Sequence, residues 1–143
     1  MRRFTSFFCL LLFLQSCSSD KQKEPFASLF KNCDQVNIVF YNHGDSLHFE
    51  TKDANGVKIF THLVSGNKEA VRDTCGANGD LIYLAKGQPF YTVQFALNAT
   101  NSVAKCNYVQ YNYQNTAYKH RLTEDAENIL KQAYTSADTT KKQ

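Results

Sequence analysis

Histidine, cysteine and tyrosine are the side chains of this chain whose chemistry goes beyond packing. Among the four histidines, His43 and His48 lie around one short loop with Glu50, and His48 and Glu50 stand two residues apart, the spacing that puts co-ligands on one face of a strand. A usable zinc site needs three or four converging ligands. His62 and His120 belong to other segments, so the His43/His48/Glu50 group is a candidate only, and no metal or other cofactor is expected. Cys33 is a candidate nucleophile, but neither a histidine nor a cluster of positive charge accompanies it to favour the thiolate. The bland reading makes it a small buried apolar residue. No Gly-x-Ser-x-Gly, His-Glu-x-x-His, Ser-x-x-Lys or phosphate-cradling glycine motif occurs, and the carboxylates are scattered, so nothing in the sequence supports an enzyme.

Tyrosine is the compositional oddity. Tyr83, Tyr91, Tyr108, Tyr111, Tyr113 and Tyr118 all fall in one half of the chain, and from position 107 they alternate with Asn107, Gln110, Asn112 and Gln114. β-propensity alone selects tyrosine in strands. Rings beside amides also make a polar protein- or sugar-binding face, and Tyr108, Tyr111, Tyr113 and Tyr118 are the candidate residues of such a face. Tyr111 and Tyr113 share a side of their strand, so they point together into the core or together out of it.

The elements that must position these residues follow from periodicity. Val36, Ile38 and Phe40 alternate with Asn37, Val39 and Tyr41, and after a turn at 42–45 the returning run places Leu47, Phe49 and Thr51 opposite Ser46, His48 and Glu50; this is a hairpin. Val57, Phe60 and Val64 fit a helical face starting at Asp53 and ending at Gly66-Asn67, whereas Asn55-Gly56 offers a tight hairpin turn instead. The helix is the preferred reading. Gly76 to Asp80 reads as a turn, and Leu81–Ala85, Pro89–Leu97 and Val103–Tyr113 as three strands with antiparallel neighbours. The stretch from Tyr108 to Tyr118 then forms a hairpin. Thr123 caps a helix over about 123–135, with Leu122, Ala126, Ile129, Leu130 and Ala133 on one stripe and Glu127 placed to pair with Lys131. The expected class is α+β, an antiparallel sheet of about five or six strands packed against one or two helices, and no internal repeat is present.

The N-terminus supplies an address. Arg2 and Arg3 precede an apolar run from Phe4 to Leu14 that is too short to stay in a bilayer as a spanning helix. Leu14-Gln15-Ser16-Cys17, at its end, resembles the lipobox of bacterial lipoproteins. The resemblance covers about seventeen residues and implies removal of residues 1–16, acylation of Cys17 and anchoring by several acyl chains, more than the two signals that stable attachment requires. It places the chain in the cell envelope, lipid-anchored, with the outer membrane as the expected host. The Ser-Gly-x-x-x-Tyr pattern of lipoprotein lysozyme inhibitors is not met, because Ala70 occupies the tyrosine position after Ser65-Gly66.

Export reshapes the remaining inventory. Loss of Arg2 and Arg3 lowers the formal charge from +3 to +1; no basic cluster remains beyond Lys141-Lys142, and nucleic acid is not an expected partner. Cys17 to Pro25 is a polar tether with a reach of roughly 3 nm, residues 26–135 form a single domain, and 136–143 are expected to be a disordered tail. Of five cysteines, Cys9 leaves with the signal and Cys17 carries lipid. In an oxidising compartment Cys75 and Cys106, both in the sheet-forming half, are the preferred disulfide, contributing on the order of 3 to 4 kcal/mol by loop-closure entropy. Cys33 is then the odd thiol. The function expected from these residues is a non-enzymatic binding, inhibitor or immunity-type lipoprotein with a protein or glycan ligand, and the alternative is a small envelope enzyme using Cys33 or the His43/His48/Glu50 group.

Overall fold

A computed structural model of the protein describes residues 26–41, 46–65, 75–98 and 106–140, the segment 137–140 by backbone alone. Six strands, β1 (Gln35–Tyr41), β2 (Ser46–Thr51), β3 (Gly79–Ala85), β4 (Gln88–Ala96), β5 (Tyr108–Tyr113) and β6 (Thr116–Arg121), form one antiparallel sheet in the order β2-β1-β3-β4-β5-β6. Helices α1 (Phe26–Leu29), α2 (Ala54–Thr61) and α3 (Glu124–Thr140) complete an α+β fold. The β1–β2 register pairs Val36 with Thr51, Ile38 with Phe49 and Phe40 with Leu47, so the two apolar faces coincide as their alternation requires. β3 lies against β1 rather than β2, because α2 fills the connection and returns the chain to the far side of β1.

Two tight connections make the sheet's later half. Lys86-Gly87 and Gln114-Asn115 each have both residues at positive φ, 52° and 75° in the first and 47° and 62° in the second. These are two-residue turns whose twist matches that of the strands they join. Gln114 is an unusual occupant of that region, which favours glycine and asparagine.

The carboxylate of Asp53 accepts the Gly56 N–H at 2.9 Å, so Asn55-Gly56 sits in the first turn of α2 and no hairpin forms there. The helix ends earlier than its apolar spacing suggests. Val64, expected on the helical face, forms an isolated bridge with Leu122, and the Ser65 N–H donates to the Arg121 carbonyl at 3.0 Å. The chain leaving α2 thus exchanges hydrogen bonds with the end of β6 and the residues just after it, and the expected stop at Gly66-Asn67 lies outside the described residues. At α3, Thr123 caps as expected, with its Oγ1 accepting the Ala126 N–H at 3.4 Å, and Glu127 pairs with Lys131. That helix continues past 135 to Thr140, so Ser136 to Thr140 carry helical backbone where a disordered tail was expected. No glycine or proline interrupts them, and extending an existing helix costs far less than starting one.

All three helices cover one face of the sheet. Val36, Ile38, Phe40, Leu81, Tyr83, Val93, Phe95, Val109 and Tyr111 point from the strands into a core closed by Phe26, Phe30, Phe60, Ala126 and Leu130. Tyr83 is completely buried; its ring stacks on Phe30 at 3.9 Å between centroids and its hydroxyl donates to the Phe60 carbonyl at 2.8 Å. Gly79 is where the sheet and core press closest, since a Cβ there would collide with the Val39 carbonyl oxygen and the Phe95 ring. Gly79→Ala should therefore lower stability by about 1 to 3 kcal/mol, the usual cost of overpacking. A denaturant midpoint equal to that of the unmodified chain would show that the strand can yield.

Candidate functional site

The described surface offers two candidate regions, the face of the sheet turned away from the helices and a cleft in the helical layer. On that outer face one row crosses every strand. His48 pairs with Val39, Val39 with Asp80, Asp80 with Gln94, Gln94 with Gln110 and Gln110 with Lys119. A neighbouring row runs Glu50, Asn37, Ile82, Thr92. Strand alternation sends all of these side chains to the same side, and among the described residues no helix covers them. Within the face, Gln35 Nε2 donates to Asn37 Oδ1 at 2.7 Å and to Glu50 Oε2 at 3.2 Å. Tyr41 is 45% exposed beside Asp80 and Gln94. Partial burial, followed by the hydrogen bond to Asp80, holds the Tyr41 phenol above its ordinary range, so it stays a neutral donor.

The tyrosines proposed as a binding face lie elsewhere. Tyr111 is 3% exposed, its ring stacked on Tyr118 at 5.4 Å and edge-on to Phe26 at 4.9 Å. Tyr113, on the same side of β5, is half-buried against the core, so both point inward. Tyr118 is likewise half-buried, and the His120 ring lies beside both, 5.8 Å from Tyr111 and 6.1 Å from Tyr118. Tyr108 does face the outer side but is buried; its hydroxyl donates to the Cys75 carbonyl at 2.5 Å and Lys119 Nζ lies 5.4 Å from its ring centre. Tyr111, Tyr113 and Tyr118 pack inward because the helices cover the side of the sheet that they occupy, whereas Tyr108 is buried on the outer side under the Cys75 segment. Among the described residues the exposed large apolar side chains are Tyr41, Phe90 and Tyr134 instead.

Cys75 and Cys106 form the disulfide expected of them, with Cα atoms 5.8 Å apart. Cys106 precedes β5 rather than lying inside it, so the bridge clips the approach to β5 over Tyr108. Cys17 and His43 lie outside the described residues. His48 and Glu50 share an exposed face two residues apart, but Glu50 is occupied by Gln35 and by Lys52 at 3.5 Å. Among the described residues no group of three or more histidine, cysteine, aspartate or glutamate side chains could hold a metal ion, and no helix is long and apolar enough to cross a membrane.

The cleft encloses about 550 Å³ and brings together residues remote in sequence. Ala27, Phe30 and Lys31 supply one wall, Cys33 and Asp34 the chain after α1, Lys52 and Ala54 the start of α2, and Val57, Lys58, Thr61 and His62 its face and end. α2 contributes at i, i+3, i+4 and i+7, one helical stripe. His62 Nδ1 lies 3.0 Å from both the Lys58 carbonyl oxygen and Thr61 Oγ1, which fixes the ring. Lysines and a histidine do therefore share a cleft with Cys33, a juxtaposition not visible in the linear order. They do not activate it: burial pushes the thiol up, outweighing the hydrogen bonding at Gln35 and Leu84 that favours the thiolate. Its Sγ–H donates to the Gln35 carbonyl at 3.3 Å.

Comparison with protein-family models, with curated proteins and with solved structures finds no match to this chain. The reaction of Cys33 with iodoacetamide should have its pH midpoint above that of the same thiol in the denatured chain, and be slower than in the denatured chain at pH of about 8. A midpoint below the denatured value would instead mark an activated nucleophile.

Proposed function

We propose that this chain is a lipid-anchored, non-enzymatic binding module of a bacterial cell envelope, held at the outer membrane through Cys17 and presenting the uncovered face of its sheet to a protein or glycan ligand. An inhibitor or immunity protein that neutralises an envelope-attacking enzyme is the kind of molecule this describes. The observation that carries the reading is the row His48, Val39, Asp80, Gln94, Gln110, Lys119, unbroken across six strands. It has acceptors, donors and both signs of charge on a rigid scaffold, with Tyr41 as an exposed amphipathic ring beside it. Such a surface binds through many hydrogen bonds around a few rigid anchors. An enzymatic reading through Cys33 has less support, since burial raises that thiol above its ordinary range and its Sγ–H donates to backbone.

A photo-crosslinking side chain placed at Gln94, and separately at exposed Gln132 on α3, tests the assignment in intact envelopes. Replacing either residue should change stability by less than about 0.5 kcal/mol. Position 94 should yield a discrete protein or glycan adduct and position 132 none, and Cys17→Ser should release the protein or leave the precursor uncleaved, with loss of the adduct. Adducts from 132 but not 94 would contradict the sheet face as the contact, and unchanged membrane fractionation of Cys17→Ser would contradict the anchor.

A further inference from the structure

We infer that the cleft between α1 and α2 is a second, separate binding site for a small organic anion, one that joins a phosphate or carboxylate head to an apolar body. Its volume of about 550 Å³ falls within the range of small-molecule sites. Three lysines, Lys31, Lys52 and Lys58, line it beside the His62 ring and a single carboxylate, Asp34. That carboxylate is already engaged, accepting the Lys86 N–H at 2.8 Å. Lys52 leans toward Glu50 at 3.5 Å, whereas neither Lys31 nor Lys58 has an acidic partner among the described residues. The chain as a whole is nearly neutral once the signal is removed, so this concentration of cations on one concave surface is local. Lysines gathered against so little counter-charge repel one another, and an anion seated between them relieves that repulsion while gaining charge-assisted hydrogen bonds.

The floor explains why the head should carry an apolar body. Phe30 and Val57 are buried beneath the lysines, and Ala27 and Ala54 add methyl groups at the rim. A bare inorganic anion would leave that surface wet; an alkyl or aromatic substituent covers it. The head has two natural sources, a free solute such as a phosphate monoester or the headgroup of an anionic phospholipid. The second arises because Ala27 and Lys31 lie within a few residues of the expected tether, whose length would keep the cleft within roughly 3 nm of the acylated Cys17. This site is independent of the sheet face, since the two lie on opposite sides of the sheet.

Titration calorimetry on the full lipoprotein in non-ionic detergent decides it, with phenyl phosphate, inorganic phosphate and soluble dihexanoyl phosphatidylglycerol as probes. Phenyl phosphate or the phosphatidylglycerol should bind with one-to-one stoichiometry, inorganic phosphate more weakly than either, and the tighter of the two organic probes identifies the source. Lys31→Glu with Lys58→Glu should weaken binding by about tenfold or more, consistent with loss of charge-assisted hydrogen bonds. Ala54→Phe, which fills the cleft from an exposed position, should do the same without changing charge. Failure of both organic probes to bind, or binding unaltered in both variants, overturns the site. Inorganic phosphate binding as tightly as phenyl phosphate overturns the role of the apolar floor.

Discussion

The stacking and hydrogen bonding of Tyr83 hold the two layers of this protein in one arrangement. Its ring lies on Phe30, its edge meets Phe26, and its hydroxyl reaches the Phe60 carbonyl at the end of α2. One side chain on the third strand of the sheet thereby joins the sheet to both α1 and α2. A buried phenol without that acceptor would be costly, and with it the group is a specific clamp. Because burial raises the phenol well above its ordinary range, the clamp is neutral in the folded chain. The unfolded chain would lose that proton first, so the stability it contributes is complete below the ordinary tyrosine range and declines above it.

Placing the three described helices on one side leaves the other side of the sheet uncovered by any of them. An antiparallel sheet tolerates this because its strands alternate, and the polar rows through His48 and Glu50 are the consequence. Among the described residues, the Cys75–Cys106 bridge lies over the Tyr108 corner of that side. The same layering creates the cleft, since α1 is a single turn and leaves its neighbour α2 with a partly uncovered stripe. Both candidate surfaces are thus products of how the helices share one face.

What the sequence made legible was local. The β1–β2 alternation, the Asp53 and Thr123 caps and the α3 stripe are each written within a dozen residues, and each formed in the expected place. The Cys75–Cys106 pairing was also readable, because both cysteines belong to the sheet-forming half. Period two showed that Tyr111 and Tyr113 go together but carried no sign, since the sign depends on which face the helices take. Val64 kept a helical spacing yet pairs with Leu122, where a distant backbone outcompetes local propensity. The row from His48 to Lys119 needs five strand registers at once, and the cleft lysines come from separate segments, so neither could be seen before the strands were aligned. The Leu14-Gln15-Ser16-Cys17 segment is readable only as an address.

Side-chain footprinting of the full chain tests the central claim, the proposal that the uncovered sheet face is the working surface. Tyr41 and His48 would be labelled in intact envelopes, the proposed location, and in the purified protein, with exposed Tyr134 on α3 as the internal reference. Protection of Tyr41 and His48 in the envelope, with Tyr134 labelled equally in both settings, is the result the account predicts. Equal labelling of all three, or protection of Tyr134 alone, would contradict it.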